Sequence, residues 1–594
     1  MSEPERPGGR SIRRLALRLA AVLVAAIALP AGVAVALGDP VNDLFALGQG
    51  SGQKPDRVEI AQRAEPPFLA SPRAKCGPGS RPEPGVQGRV PAGSATNGLS
   101  CNIDLVSHQG TSGGYKVFHY VDTQGRSCAF YDTALLFPVN AFKLDATSQG
   151  VAVLDMSDPT HPVQTDTLTE APMLSPHESL SFNPKRGLIA AVLGNPTTYP
   201  GLVSIYDASA DCRHPVLKSS SLVARFGHEG NFAPDGKTFY ATGTALEAIT
   251  AIDVTDPAAP HPVWQGNVYS HGLTLSDDGN RAYIADPGGH DMLILDTSEI
   301  QARKPHPQAR EISRLTWRAA SIPQNAIPFT KDGKPYVLEF DEFDASTLGN
   351  GSPDDVGAVR IIDVSDERAP RSVGNLRLQV DQPEDHKAAA GDPGGGGSPQ
   401  GYAAHYCNVP TRVNPTIVAC SFITSGLRVF DISDVTSPKE IAYYVAPTQA
   451  RAENSFKASD FAMSQPAFVP ERHEIWYTDG TSGFYALRVT NSVWPSDAAA
   501  SGAGGARTCK GRRAFPATVH VPRGARVRRA TAFLAGKRLR ITRPGRAVRV
   551  QVDLKGLNRS SVSLVIRVRL RSGRLITSRR TYHPCTRRGR VPAS

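Results

Sequence analysis

The sequence predicts an all-β protein: a seven-bladed β-propeller followed by a small, disulfide-stapled β-sandwich of Ig-like outline. Three observations lead to this prediction. A strand-and-turn unit recurs seven times within residues 101–495. The 594 residues include 48 Pro and 54 Gly, which favours many turns and short strands over a helical bundle. Residues 508–594 contain further segments that alternate between apolar and polar side chains, between two cysteines.

The N-terminus has the features of an export signal. Several arginines precede an apolar run from Leu19 to Leu37, and small residues around Ala36 suit a signal peptidase. We predict a signal peptide at 1–38 and a secreted or cell-surface protein. An uncleaved membrane anchor is the alternative, because the run is nearly long enough to span a bilayer. Residues 39–100 are rich in Pro and Gly, which predicts an irregular, extended wrap.

Each repeat unit is an apolar strand that ends in Asp, a small residue and often Pro. The Asp and Ser side chains can cap backbone amides, and Pro prevents the strand from continuing. The copies are GVAVLDMSDP (150–159), GLVSIYDASA (201–210), AITAIDVTDP (248–257), DMLILDTSEI (291–300), GAVRIIDVSD (357–366), GLRVFDISDV (426–435) and a degenerate GFYALRVTNS (483–492). One strand follows each unit and two precede it, so each period predicts a four-stranded blade. The last copy lacks an outer strand, which residues 101–106 are predicted to supply.

These motifs resemble those of the LVIVD-repeat proteins, which are secreted or surface β-propellers of bacteria. The carrying motifs are GVAVLDMSDP, AIDVTDP, RIIDVSD and GLRVFDISD, and the segment from His405 to Asp479 is especially typical of the group. The resemblance covers about two-thirds of the chain and implies the propeller fold. It supplies no catalytic residues, because propellers carry many unrelated activities.

The C-terminal segment differs in charge from the rest of the chain. Residues 505–594 carry 25 Lys and Arg against one acidic residue, whereas residues 1–504 carry 41 basic and 54 acidic residues. A flexible linker at 496–507 therefore separates the acidic body from a basic sandwich domain at 508–594. Arginines on alternate strand positions predict association with an anionic cell-envelope polymer, and a solvated sheet face is the alternative. Few aromatic residues make nucleic acid an unlikely partner.

An exported protein can hold its eight cysteines as disulfides. Cys509 and Cys585 bracket the basic domain, and Cys407 and Cys420 flank a turn between two apolar runs, which favours both pairs. The pairing of the other four cysteines stays open, with Cys76–Cys101 and Cys128–Cys212 preferred. No CxxC motif supports a redox site or a zinc ribbon.

A polar residue precedes the first strand of each predicted blade. In a propeller, the first strand of a blade lies nearest the central axis. The series is His108, His177, His228, His271, Gln324, His405 and Gln465. Neutral imidazole is a favoured ligand of Zn²⁺ and Cu²⁺. Because Zn–N bonds are only about 2.0–2.1 Å long, the five histidines cannot all share one ion. A subset of them is a candidate for a Zn or Cu site, or for another ligand site, at the channel mouth. The alternative is a wet channel lining, since every blade solves the same packing problem.

Acidic residues are expected on the same face of the ring, where the second strand of each blade turns into the third. The fifth blade has a long acidic insertion there, with Glu339, Asp341, Glu342, Asp344, Asp354 and Asp355. Glu339 and Asp341 are therefore candidate ligands of a mixed N/O metal site or of a cationic ligand. A solvated acidic loop is the alternative. Glu178 and Glu229 directly follow histidines, and strand alternation is expected to point them away from the site unless a bulge intervenes.

Two function classes remain. The sequence contains no nucleophile elbow, P-loop or dinucleotide fingerprint. The first hypothesis is a non-enzymatic, monomeric, exported propeller that binds an extracellular ligand or protein, with the basic domain attached to the cell envelope. The second is a metal-dependent oxidase or hydrolase that uses the channel-mouth histidines. Its broad layout would resemble His-lined copper propellers such as methanethiol oxidase.

Overall fold

The chain forms two compact units, residues 1–500 and 501–594. The computed structural model describes residues 52–58, 60–62, 65–133, 150–194, 199–243, 247–317, 321–344, 352, 355–395, 401–448, 459–495, 514–522, 525–534, 537–542, 547–554, 562–572 and 574–582. The predicted signal segment and the predicted pair Cys509–Cys585 lie outside these residues.

Seven antiparallel sheets follow one another along the described part of the first unit. Sheets one to three comprise Val117–Val121, Ser127–Asp132, Val151–Asp155 and Val163–Leu168; Ser181–Asn183, Leu188–Val192, Gly201–Asp207 and Val216–Ala224; and Glu229–Phe232, Thr238–Thr242, Ile249–Asp253 and His261–Gly266. Sheets four and five comprise Leu273–Leu275, Arg281–Asp286, Asp291–Asp296 and Arg310–Thr316; and Ile322–Lys331, Lys334–Glu342, Val359–Asp363 and Arg371–Leu376. Sheets six and seven comprise Ala404–Asn408, Ile417–Phe422, Gly426–Asp431 and Lys439–Val445; and Ala467–Val469, Glu474–Asp479, Gly483–Val489 and Ile103–Gln109.

The repeat unit folds as its side chains predict. Its apolar run is the third strand of each sheet, and this strand is largely buried. The Asp that ends the strand accepts a hydrogen bond from the amide two residues later. For example, Ser157 N donates to Asp155 Oδ1 at 2.9 Å and Thr255 N donates to Asp253 Oδ1 at 2.7 Å. This cap ends the strand and starts the turn into the fourth strand.

Strands from the N-terminal region complete or extend three sheets. Ile103–Gln109 pairs antiparallel with Gly483–Val489, which confirms that the chain before the first sheet supplies the outer strand of the last one. Leu99–Cys101 adds a fifth strand to sheet six, and Ile60–Gln62 adds a parallel fifth strand to sheet four. These pairings cover strand edges that would otherwise stay open.

Residues 52–101 form an N-terminal strap along the outer strands of sheets three to six. Gln53 N donates to Gln265 O of sheet three at 2.8 Å, and Ser71 N donates to Arg377 O just after sheet five at 2.9 Å. Glu83 forms a buried ion pair with Arg428 of sheet six at 2.8 Å. The described residues of the Pro/Gly-rich segment, 52–58, 60–62 and 65–100, therefore form an extended wrap with specific partners.

Apolar side chains fill the space between neighbouring sheets. Sheets seven and one are also packed together by apolar side chains. Trp476, Phe484 and Ala486 of sheet seven share one buried cluster with Ala129 and Tyr131 of sheet one. The rings of Tyr131 and Phe484 stack with centroids 5.4 Å apart. The last sheet therefore packs against the first.

Helices are few and short among the described residues. The α-helices are Ala171–Leu174, Ser298–Gln301 and Pro383–Ala388, and the 3₁₀-helices are Gln379–Asp381 and Pro470–Arg472. None of these is long and apolar enough to cross a membrane. Three predicted disulfides are present: Cys76–Cys101, Cys128–Cys212 and Cys407–Cys420.

The second unit contains two antiparallel sheets around one apolar core. One sheet comprises Ala514–His520, Ala547–Asp553 and Ile541–Thr542, and the other comprises Lys537–Arg538, Val527–Leu534, Val562–Leu570 and Leu575–Tyr582. Alternate residues such as Val548, Val550, Leu564 and Ile566 are buried between the sheets, while arginines occupy the exposed positions. This alternation is the period-2 pattern of half-buried strands.

Candidate functional site

The carboxylate of Glu178 stands at the centre of a buried group of imidazoles. Its Oε2 lies 3.3 Å from Nε2 of His228 and 3.3 Å from Nε2 of His271. Its Oε1 lies 3.4 Å from Nε2 of His405. His177 packs edge-on against His228 with ring centroids 4.3 Å apart. We call Glu178 and these four histidines, together with Glu342, the histidine cluster.

Four different sheets bring the histidines together. His177, His228 and His271 each precede the first strand of sheets two, three and four, and His405 lies in the first strand of sheet six. The first strands must therefore converge on one axis, as they do in a propeller. All of these side chains are buried, and His405 has no exposed surface.

A second carboxylate and two backbone carbonyls complete the cluster. Glu342, at the end of the second strand of sheet five, lies 3.1 Å from His405 Nε2 and 3.7 Å from His271 Nε2. Nδ1 of His405 lies 2.7 Å from Met463 O, and Nδ1 of His271 lies 3.1 Å from Pro323 O. A carbonyl is an acceptor only, so each Nδ1 carries a proton and each Nε2 faces the carboxylates.

The charges of the cluster shift the pKa values of its members. Burial would lower the pKa of His271 and His405, but Glu178 and Glu342 outweigh burial and raise both to about 9. Burial would raise the pKa of Glu178, but the His271 and His177 imidazoles hold it well below its usual range. Burial and the neighbouring His228 hold the pKa of His177 well below its usual value. The cluster is a buried network of charges stabilised by mutual pairing.

A second polar group borders the cluster. Lys116 Nζ lies 3.4 Å from Glu229 Oε1 and 3.5 Å above the centre of the Tyr406 ring. Asn325 Nδ2 also donates to Glu229 Oε1. Burial lowers the pKa of Lys116, and burial raises the pKa of Glu229 to about 8 against the opposing effect of Lys116. Tyr115 packs against His177 with ring centroids 4.8 Å apart. This neighbourhood adds donors and acceptors that the sequence did not assign to a site.

The structure does not place His108 in the cluster. His108 lies in the outer strand of sheet seven, where its Nε2 is 2.6 Å from Ser482 O and its ring packs on Tyr485. The first strand of sheet one begins only at Val117, and Lys116 stands just before it. The prediction counted His108 as a first-strand residue, although its strand closes the last sheet.

Glu339 and Asp341 also lie outside the cluster. Both carboxylates face Arg360, with Asp341 Oδ2 at 2.9 Å and Glu339 Oε2 at 3.5 Å from its Nη1. Glu65 of the N-terminal strap pairs with the same guanidinium at 3.0 Å. Successive side chains of a strand point to opposite faces, so Glu342 reaches the histidines while Glu339 and Asp341 do not.

The expectation that Glu178 points away from the site is wrong. His177 has a φ of +50°, in the left-handed region, within a turn that precedes the first strand. Extended alternation does not apply to this turn, so both side chains reach the cluster. Glu229 also lies beside the site, where it pairs with Lys116. Sequence spacing alone gave no sign of this turn conformation.

The residues present fit a transition-metal ion. The donor atoms of His177, Glu178 and His228 lie within 4.8 Å of one another, and so do those of Glu178, Glu342 and His405. Nδ1 of His177 is buried and has no hydrogen-bond partner among the described residues. Imidazoles held by a carbonyl on the second nitrogen are typical of metal ligands. A mixed set of imidazoles and carboxylates suits Zn²⁺ and Cu²⁺.

We expect the metal-free protein to lose stability as the pH rises from 7 to 10. The pKa values of His271 and His405 are near 9 in the fold and near 6.5 in the unfolded chain, so the stabilisation is complete below pH 6.5 and disappears as the pH rises through 9. Thermal unfolding in EDTA should show a fall in Tm of at least about 5 °C. The His271→Gln/His405→Gln double variant should lose most of this pH dependence. An equal fall in the double variant would contradict the assignment.

No family model and no curated protein matches the chain. A solved structure of hydrazine synthase from Kuenenia stuttgartiensis is 12% identical, with 64% of this chain and 97% of that chain covered and a TM-score of 0.43. The periplasmic gluconolactonase of Pseudomonas aeruginosa is 13% identical, with 64% and 98% covered and a TM-score of 0.40. The β-propeller domain of Cps50 from Myceliophteria thermophila is 11% identical, with 65% and 100% covered and a TM-score of 0.39.

Proposed function

We propose that this protein is an exported, seven-bladed β-propeller that binds a divalent transition-metal ion in its histidine cluster. Seven consecutive sheets, with the seventh packed on the first, support a closed ring. Three disulfides support a location outside the cytoplasm. The repeat motifs support membership of the LVIVD-repeat group.

One observation carries the metal proposal. Three Nε2 atoms from three different sheets lie within 3.4 Å of the two carboxylate oxygens of Glu178. Without a metal, His271 and His405, whose Nδ1 atoms donate to backbone carbonyls, can donate to these carboxylates only as imidazolium ions, which takes charges out of water. A divalent cation would replace those protons and satisfy the same carboxylates.

The bound ion would give the protein a Lewis acid within the buried histidine cluster. His228, His271, His405 and Glu178 would hold it, and Glu342 could supply another oxygen. Lys116 and Glu229 would stand beside it as a proton-carrying pair. This arrangement favours a metal-dependent enzyme, an oxidase or a hydrolase, over a scaffold without a metal.

Elemental analysis of the tag-free chain tests this proposal. We expect at least one Zn or Cu ion per chain, either as purified or after loading and desalting. His405→Ala should lower the metal content, whereas His108→Ala should leave it unchanged because His108 lies outside the cluster. If the chain binds no metal in excess Zn²⁺ or Cu²⁺, the histidines line the channel and the protein is a binding scaffold.

We further propose that one sheet face of the second unit attaches the protein to a phosphate-bearing polymer of the cell envelope. Arg529 and Arg569 stand directly opposite each other on neighbouring strands, and Arg567 lies between Thr531 and Thr577. Like charges in such cross-strand positions repel. These three exposed arginines make no ion pair with a described residue. We call these five residues the arginine face; guanidinium groups and hydroxyls are suited to bind phosphate.

A register shift between Val527 and Arg529 puts Arg529 opposite Arg569. Binding of the full chain to poly(glycerol phosphate) should weaken about 10-fold or more at 0.1 M salt when Arg529, Arg567 and Arg569 are changed to Ser.

A matched control removes the same charge elsewhere. The triple change of Arg526, Arg540 and Arg574 to Ser affects exposed arginines outside the arginine face and should weaken binding less than about threefold. Equal losses of polymer affinity in the two triple variants would show that binding depends on net charge and not on the arginine face. Equal binding of poly-L-glutamate or single-stranded DNA would contradict the choice of ligand.

A further inference from the structure

The donor atoms of the histidine cluster fall into two groups that share one residue. His177 and His228 group with Glu178, and His405 and Glu342 group with the same Glu178. Two atoms bound to one ion at about 2.1 Å lie at most about 4.2 Å apart. Six ligand residues divided in this way are more than one four-coordinate ion can use.

The two oxygens of Glu178 face different groups. Oε2 lies 3.3 Å from His228 Nε2, whereas Oε1 lies 3.4 Å from His405 Nε2. A carboxylate in this position can bind one cation through each oxygen. The Nε2 atom of His271 lies between the groups, 3.3 Å from Glu178 Oε2 and 3.7 Å from Glu342 Oε1.

We infer that the cluster holds two divalent transition-metal ions bridged by the carboxylate of Glu178. This inference rests on the proposed metal function and adds the number of ions and the division of ligands between them. The first ion would be bound by His177, His228 and Glu178 Oε2. The second would be bound by His405, Glu342 and Glu178 Oε1, with His271 available to either.

Two ions in this cluster would need a further anionic ligand. They bring four positive charges, which exceed the two negative charges of Glu178 and Glu342. Each ion would have three protein ligands before His271 is assigned, so each keeps an open position. The expected external ligand is therefore a small anion that contacts both ions, such as hydroxide or an oxyanion.

The metal stoichiometry of the full chain tests the inference. After loading with excess Co²⁺ and desalting, elemental analysis should give two ions per folded chain. His405→Ala/Glu342→Gln and His177→Ala/His228→Ala should each reduce the stoichiometry from two to one, because each variant removes one half of the ligands. The matched control His108→Ala should keep two.

A second measurement does not depend on the folding of variants. The wild-type protein loaded with Cu²⁺ should show the magnetic coupling of two nearby ions by electron paramagnetic resonance. Saturation at one ion would overturn the two-ion inference and leave the proposed metal function intact. The absence of any bound metal would overturn both the two-ion inference and the proposed metal function.

Discussion

Replacing Glu178 with Gln is expected to weaken metal binding strongly and to destabilise the metal-free protein. Glu178 Oε1 and Oε2 together lie within 3.4 Å of three imidazole nitrogens, and no other side chain among the described residues contacts all three of these nitrogens. We expect metal affinity to fall about 100-fold or more, because the change removes a first ligand rather than a supporting contact. The buried imidazoles also lose their shared partner, which should cost about 3–5 kcal/mol at neutral pH.

Two measurements check this expectation. Competitive titration with a chelator gives the affinity, and urea unfolding of the metal-free protein gives the free energy of unfolding. His108→Gln is the control, since its ring lies in the outer strand of sheet seven and should leave metal affinity unchanged. Wild-type affinity in the Glu178→Gln variant would show that the imidazoles do not act through this carboxylate.

Replacing Arg428 with Met is expected to destabilise the propeller through its N-terminal strap. The Arg428 guanidinium lies 2.8 Å from Glu83 of the strap and 3.0 Å from Glu440, and none of the three side chains has any exposed surface. Gln87 Nε2 donates to Glu440 as well, at 2.9 Å. Removing this guanidinium leaves the buried Glu440 without an ion-pair partner among the described residues and leaves Glu83 with only Arg73, 3.4 Å away, which should cost about 3–5 kcal/mol.

The matched variants separate charge from packing. Arg428→Met/Glu83→Gln/Glu440→Gln removes all three charges and should recover much of the lost stability, because buried ion pairs can be replaced by neutral groups at little cost. Glu367→Ala breaks the partly exposed pair with Arg281 and should cost less than about 1 kcal/mol. An Arg428→Met protein as stable as wild type at pH 7 would show that the strap contributes little.

Local patterns in the chain predicted the sheets well. The Asp that ends six of the seven repeat strands caps the next turn, and such contacts lie within a few residues of each other, as at Asp155 and Asp253. The last repeat copy lacked an outer strand, which predicted that the chain before the first sheet supplies it. Ile103–Gln109 is this outer strand of sheet seven. The same local reasoning placed His108 on the wrong strand, because one polar residue before a strand resembles another.

The sequence by itself determined the repeat, the order of the strands and the residue types that could form a site. It identified His177, His228, His271 and His405, because each occupies the same place relative to its own blade. Only the tertiary structure decided that Glu178 and Glu342 complete the cluster and that Glu339 and Asp341 pair with Arg360. The reason is physical: repetition fixes positions within a blade, whereas side-chain direction depends on turn conformation and on partners from distant blades.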